Sequence, residues 1–258
     1  VFSSFIKFLI LCYQFKKNFA LKIITQVDKL LISTIIKESI PLAIAGTAAA
    51  IYARVDQVMI GSMLDIEEVG IYSISVQMVS VIAMFIAPIQ ISIYPKMIEW
   101  YNSNKETYNK KYQALTSLAT WMSIIGIIVS FVIAPFLFNL FFNDSYSKSL
   151  DVFKIHIFGT FFMYNAILRS SHFTLTKSTN VLMISQIIAV FINIVLNYLM
   201  IPKIGIYGAA IATIITQFSS LLLSNYFFKD GKEVFWIQLK SLNPINIYKA
   251  FYFKEPRI

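Results

Sequence analysis

Six apolar blocks, each long enough to cross a bilayer, decide what this chain can fold into. They run roughly Ile40–Met63, Gly70–Pro95, Ala114–Phe142, Val152–Thr176, Val181–Ile201 and Tyr207–Phe228. A membrane-spanning helix needs about 20 mostly apolar residues. A soluble domain also needs about a quarter of its residues charged, whereas this chain is 57% hydrophobic and 14% charged. The fold class is therefore an all-α integral membrane protein with a six-helix transmembrane lobe. A seventh block, Phe2–Tyr13, is too short to span. It reads as the end of a truncated transmembrane helix over residues 1–13, since no small-residue cleavage site follows and Lys16 and Lys17 lie on the wrong side for a signal peptide.

Charge between the blocks gives an orientation. Lys16, Lys17, Lys22, Lys29 and Lys37 precede the first full block, Lys96, Lys105, Lys110 and Lys111 follow the second, and Lys177 follows the fourth. The tail over 229–258 adds Lys229, Lys232, Lys240, Lys249, Lys254 and Arg257, while the alternate loops hold Lys148 and Lys203, with Lys154 at a helix end. Positive-inside bias places the lysine-rich loops and the C-terminus in the cytoplasm. The net charge of +9 does not indicate a nucleic-acid partner, because the basic residues fall between apolar blocks. The basic tail touches anionic headgroups in this reading. Residues 14–38 differ from the blocks. Ile23, Ile24, Val27, Leu30, Leu31 and Ile35 recur at helical spacing with lysines between them, which fits an amphipathic helix at the cytoplasmic interface or a solvated connecting helix.

Most blocks carry one polar stripe at helical spacing. The stripes are Ser73, Gln77 and Ser80; Thr116, Thr120, Ser123 and Ser130; Asn165, Arg169 and His172; Gln186, Asn193 and Asn197; and Thr213, Gln217, Ser220 and Ser224. Serine and threonine are the usual material of helix contacts in lipid. Amides and charges at a helix centre cost on the order of 2–3 kcal/mol, so they face a bundle interior or a watery cavity. A polar central pathway follows.

Within "IYARVDQVMIGSM", Arg54 and Asp56 project to different faces and cannot pair with each other. Arg54 shares its face with Thr47, Ala50, Gln57 and Gly61, and Asp56 is the carboxylate deepest in any block. The candidate substrate-binding residues are Arg54, Gln57, Gln77, Asn165, Arg169, Gln186, Asn193 and Gln217, with Asp56 for ion coupling or charge balance. Arg169 could alternatively snorkel to headgroups. His156 and His172 lack companion ligands and Cys12 is the single cysteine, so neither a metal site, a cofactor nor an internal disulfide is expected. Pro88 and Pro135 should bend their helices. No P-loop, paired-carboxylate motif or nucleophile elbow occurs, and loops are short. The chain reads as a transporter without its own ATPase and not as an enzyme.

The order of "RVDQVMIG", "LDIEEVGIYSISVQM", "ISIYPKM" and "LNYLMIPKIGIYGAAIATII" resembles the C-terminal lobe of polysaccharide flippases of the Wzx type. These lie within the multidrug/oligosaccharidyl-lipid/polysaccharide exporter superfamily. The resemblance covers roughly Ser39–Phe228. It implies half of a twelve-helix, two-lobe exporter of undecaprenyl-diphosphate-linked oligosaccharide, such as O-antigen or capsule repeat units. Residues 14–38 would be the interlobe segment and 39–228 the six-helix lobe. An N-terminal lobe is missing, so the chain reads as a fragment not expected to be active alone. Arg54 and Arg169 would attract the diphosphate. Alternatives are an ion-coupled multidrug exporter of the same superfamily, or a noncatalytic module recruiting polysaccharide polymerase or glycosyltransferases.

Overall fold

The computed structural model describes residues 6–8, 10, 11, 13, 14, 28–142 and 146–247, all helix or short connection with no strand. Lys16, Lys17, Lys22, Ile23, Ile24, Val27, Lys249, Lys254 and Arg257 lie outside the described residues, and the Phe2–Tyr13 block is described only in part. Internal contacts divide the chain into Val1–Ser39 and Ile40–Ile258. In the first unit, Asp28 Oδ1 accepts from the Leu30 and Leu31 amides at 2.8 and 3.2 Å. It thereby satisfies orphan donors at the start of a helix.

That helix, α1, runs Lys29–Met63. It is followed by α2 (Ile66–Ala83), α3 (Ile86–Ser103), α4 (Lys105–Phe141), α5 (Ser147–His156), α6 (Gly159–Leu175), α7 (Thr179–Ile204) and α8 (Ile206–Gln217). A π-helical turn over Phe218–Leu223 leads into α9 (Ser224–Phe227), and a 3₁₀ turn over Lys229–Gly231 leads into α10 (Lys232–Lys240). Asp65 and Asn104 cap α2 and α4. Asp65 accepts from the Glu68 amide at 2.8 Å, and Asn104 accepts from the Glu106 and Thr107 amides at 2.7 and 3.2 Å.

Five of the helical stretches are long and apolar enough to cross a membrane: Lys29–Met63, Ile66–Ser103, Lys105–Phe141, Thr179–Ile204 and Ile206–Phe227. The remaining block, expected as one span over Val152–Thr176, is two helices. Across the joint, Phe158, Thr160 and Phe161 donate to carbonyls three residues back, at 3.3, 3.0 and 3.3 Å. This is the tighter 3₁₀ spacing, and it leaves α6 only 17 residues long. Pro88 does mark a bend, but three to four residues before itself, between α2 and α3. Proline has no N–H to give the Met84 carbonyl, and the Phe85 amide turns to Ile82 at 3.4 Å. Pro135 sits inside an unbroken α4.

α7 and α8 form a tight hairpin about Gly205, whose φ of 60° and ψ of −145° suit glycine alone. Beyond α9 the chain turns at Gly231, and α10 folds back along α4. Gln113 Nε2 donates to the Ile237 carbonyl at 3.0 Å, and Val234 and Ile237 are buried. The segment expected as a basic tail thus begins as a packed helix, with Lys232 and Lys240 exposed. At the other end, Lys148 of α5 bridges Glu68 of α2 at 2.7 Å. That carboxylate raises the ammonium above its ordinary pKa.

Buried apolar side chains form three clusters, centred on Tyr108, Tyr112 and Phe173; on Ile60, Tyr72 and Val152; and on Phe138, Phe153 and Ile157. Outward, Val132 is 75% exposed and Phe191 70%. Such side chains would be costly in water at about 25 cal/mol per Å² of exposed apolar surface. In lipid they carry no such cost. The chain is an all-α membrane protein.

Candidate functional site

The polar stripes assemble into two buried networks. The first surrounds Asp56 of α1. Its Oδ2 accepts from the Tyr72 hydroxyl at 2.8 Å and the Thr213 hydroxyl at 2.6 Å, and its Oδ1 accepts from Asn197 Nδ2 at 2.6 Å. The partners come from α2, α8 and α7, so the carboxylate is satisfied across three helices without a cation. Asn197 Nδ2 also donates to Asn193 Oδ1 at 3.2 Å. The His156 ring lies 5.7 Å from that of Tyr72. Several buried atoms here have no hydrogen-bond partner, namely His156 Nδ1, Asn193 Nδ2 and Asn197 Oδ1. Buried polar groups are normally satisfied, so these three mark the network as a place where polar chemistry is unfinished.

The second network surrounds Arg169 of α6. Its side chain does not snorkel and the residue is 2% exposed. Nε donates to Asn225 Oδ1 at 2.7 Å and Nη2 to Ser185 Oγ at 2.7 Å, and the guanidinium sits 5.1 Å from the Phe173 ring centroid. Among the described residues Arg169 forms no ion pair. A buried cation held only by neutral groups retains its attraction for an anion. Arg169 lines a groove of about 350 Å³ between α1, α6, α7 and the π turn, together with Ala45, Gly46, Ala49, Leu182 and Gln186. Small residues on α1 leave the space, and Gln186 adds an amide to an otherwise apolar wall. A larger cavity of about 640 Å³ lies between the start of α4 and α10. There Lys110, Lys111 and Lys240 face Glu106 and Glu233, so opposite charges offset one another.

The other sequence-derived candidates do not join these networks as one site. Arg54 is exposed and donates to Gln57 Oε1 at 3.3 Å, on its own helix. Gln77 is exposed. Asn165 is buried and accepts from Thr120 at 3.1 Å. Gln217 packs against Gly159, where an added Cβ would stand 2.6 Å from its Oε1. The structure thus groups Asp56 with Asn193 and Asn197, groups Arg169 with Gln186, and leaves Arg54 apart. Sequence reading missed Tyr72, Ser185, Asn225 and Gln238. Asn225 is hidden by the π turn: stripe spacing assumes 3.6 residues per turn, and a π turn inserts residues that shift the phase.

Residues 1–100 match a family model described as polysaccharide biosynthesis protein. The chain is 23% identical over 192 residues to the capsular polysaccharide biosynthesis protein CapF of Staphylococcus aureus, a match covering 74% of this chain and 48% of that protein. The chain therefore spans about half the length of the curated relative it matches. No solved structure matches. The chain is an all-helical membrane protein similar, over its first 100 residues, to a polysaccharide biosynthesis family and, more distantly, to a capsular polysaccharide biosynthesis protein, which supports a polysaccharide biosynthesis membrane role.

Proposed function

We propose that this chain contributes one lobe to a flippase that moves undecaprenyl-diphosphate-linked oligosaccharide from the cytoplasmic to the outer leaflet of the inner membrane. Its role is that of a transporter, not an enzyme, working with a second lobe and with the polymerase and glycosyltransferases of the pathway. The observation that carries this reading is Arg169, a buried guanidinium with neutral partners on the wall of a groove. Guanidinium offers diphosphate a planar fork of donors that ammonium does not. Gln186 is placed to hydrogen-bond the attached sugar or linkage. Asp56, held by three neutral donors, is the coupling or charge-balancing carboxylate. In this reading Arg169, buried on the groove wall, is the anion-binding group, and the exposed Arg54 is secondary. Export of cationic drugs would be better served by an acidic groove than by one carrying an arginine.

The test is translocation of a fluorescent undecaprenyl-diphosphate oligosaccharide in proteoliposomes holding a protein that carries this chain. Arg169→Gln is expected to slow translocation about tenfold or more, and Arg169→Lys should retain an intermediate rate, because it keeps the charge and loses the fork. Translocation by Arg169→Gln at the unmodified rate would sink the reading.

A further inference from the structure

The hydrogen-bond chain that ends on Arg169 begins on α10. Asn225 Nδ2 donates to Gln238 Oε1 at 2.9 Å and to the Leu221 carbonyl at 3.0 Å. With its nitrogen engaged twice, the Asn225 amide must turn its oxygen outward, and that oxygen accepts from Arg169 Nε at 2.7 Å. The orientation of such an amide is fixed by its network. Gln238 is fixed in turn, since its Nε2 donates to the same Leu221 carbonyl at 3.3 Å. If Asn225 were reversed, its NH₂ would face the guanidinium N–H, donor against donor. All three side chains are buried, with Gln238 6% exposed and Asn225 fully enclosed.

α10 is anchored independently of this chain. Ser241 and Thr120 share a hydrogen bond at 2.7 Å, and Val234 is fully buried against the bundle. Apolar packing would hold α10 in place without any polar residue at position 238. A buried glutamine with both ends of its amide engaged is therefore informative, because burying it unpaired is costly.

We infer that α10 tunes the anion affinity of the groove, with Gln238 as a positioning residue that orients Asn225 and through it Arg169. Of the five N–H donors of Arg169, the two bonded to Asn225 and Ser185 lock the plane of the guanidinium, and Arg169 itself lines the groove. The inference rests on the reading of Arg169 as an anion-binding group.

The experiment is a titration of the chain, reconstituted in phosphatidylcholine nanodiscs, with farnesyl diphosphate, alongside the thermal midpoint of each variant. Arg169→Gln is expected to abolish binding. Gln238→Leu should weaken it about tenfold, and Gln238→Leu combined with Asn225→Ala should be no weaker than Asn225→Ala alone, since residues acting in series are not additive. Val234→Ala, which loosens α10 through packing, should lower the midpoint and leave affinity within about twofold. Unchanged affinity in Arg169→Gln overturns both this inference and the functional reading. Wild-type affinity in Gln238→Leu, additive losses in the double variant, or equal weakening by Val234→Ala overturns the positioning role alone.

Discussion

Asp56→Leu is expected to cost about 3–5 kcal/mol of stability, while Asp56→Asn should cost about 1 kcal/mol. The carboxylate accepts from Tyr72, Thr213 and Asn197, and leucine would strand all three donors in the interior. Each buried group left unsatisfied costs about 1–3 kcal/mol, and the losses overlap because the donors share one acceptor. Asparagine can keep the oxygen that serves Tyr72 and Thr213. Its new NH₂ would then face Asn197, whose Oδ1 has no partner and can accept once that amide turns over. The turn gives up the 3.2 Å bond to Asn193, which sets the smaller cost. Thermal unfolding of both variants in the same detergent measures the gap, and equal midpoints would refute the shared-acceptor account. Under the proposed function, Asp56→Asn should also be the variant that folds yet loses the ion dependence of transport.

Gly208→Ala is expected to lower stability by about 2–3 kcal/mol, an overpacking cost, and Gly70→Ala to be neutral or slightly stabilising. A Cβ on Gly208 would stand 2.6 Å from the Met200 carbonyl oxygen. Backbone cannot swing aside as a side chain can, so the α7–α8 hairpin would have to open. Gly70 lies inside α2 with nothing within 4 Å of its missing Cβ, and alanine there gains helix propensity of about 0.5–1 kcal/mol. Paired unfolding curves check the contrast. An intact midpoint for Gly208→Ala would show that the hairpin has slack.

The helical membrane class was legible because lipid imposes long apolar blocks, and block length is a property of sequence. The partners of Asp56 were legible only in kind. Two residues of separation showed that Arg54 and Asp56 diverge, but spacing cannot say which helices Asp56 meets. The joint at Ile157–Phe158 was hidden because neither residue is a helix breaker, and the backbone stays in the helical region there. The packed position of α10 was hidden by its lysines. Charge composition registered a basic tail at anionic headgroups, while Val234, Ile237 and Gln238, on one side of a short helix, decided the outcome. Arg169 was visible as an intramembrane cation, but its depth relative to headgroups depends on side-chain direction.

The joint between α5 and α6 has a mechanical consequence. α5 ends on His156, beside Tyr72 of the Asp56 network, and α6 carries Arg169. Helix cooperativity is transmitted through successive i→i+4 bonds, and at Phe158–Phe161 that succession is interrupted. The two halves are therefore joined without a continuous i→i+4 ladder. Fraying of α5 has no continuous backbone ladder along which to run into α6. One stretch of chain thus touches the Asp56 network through His156 and carries Arg169, with a break in the helical ladder between the two.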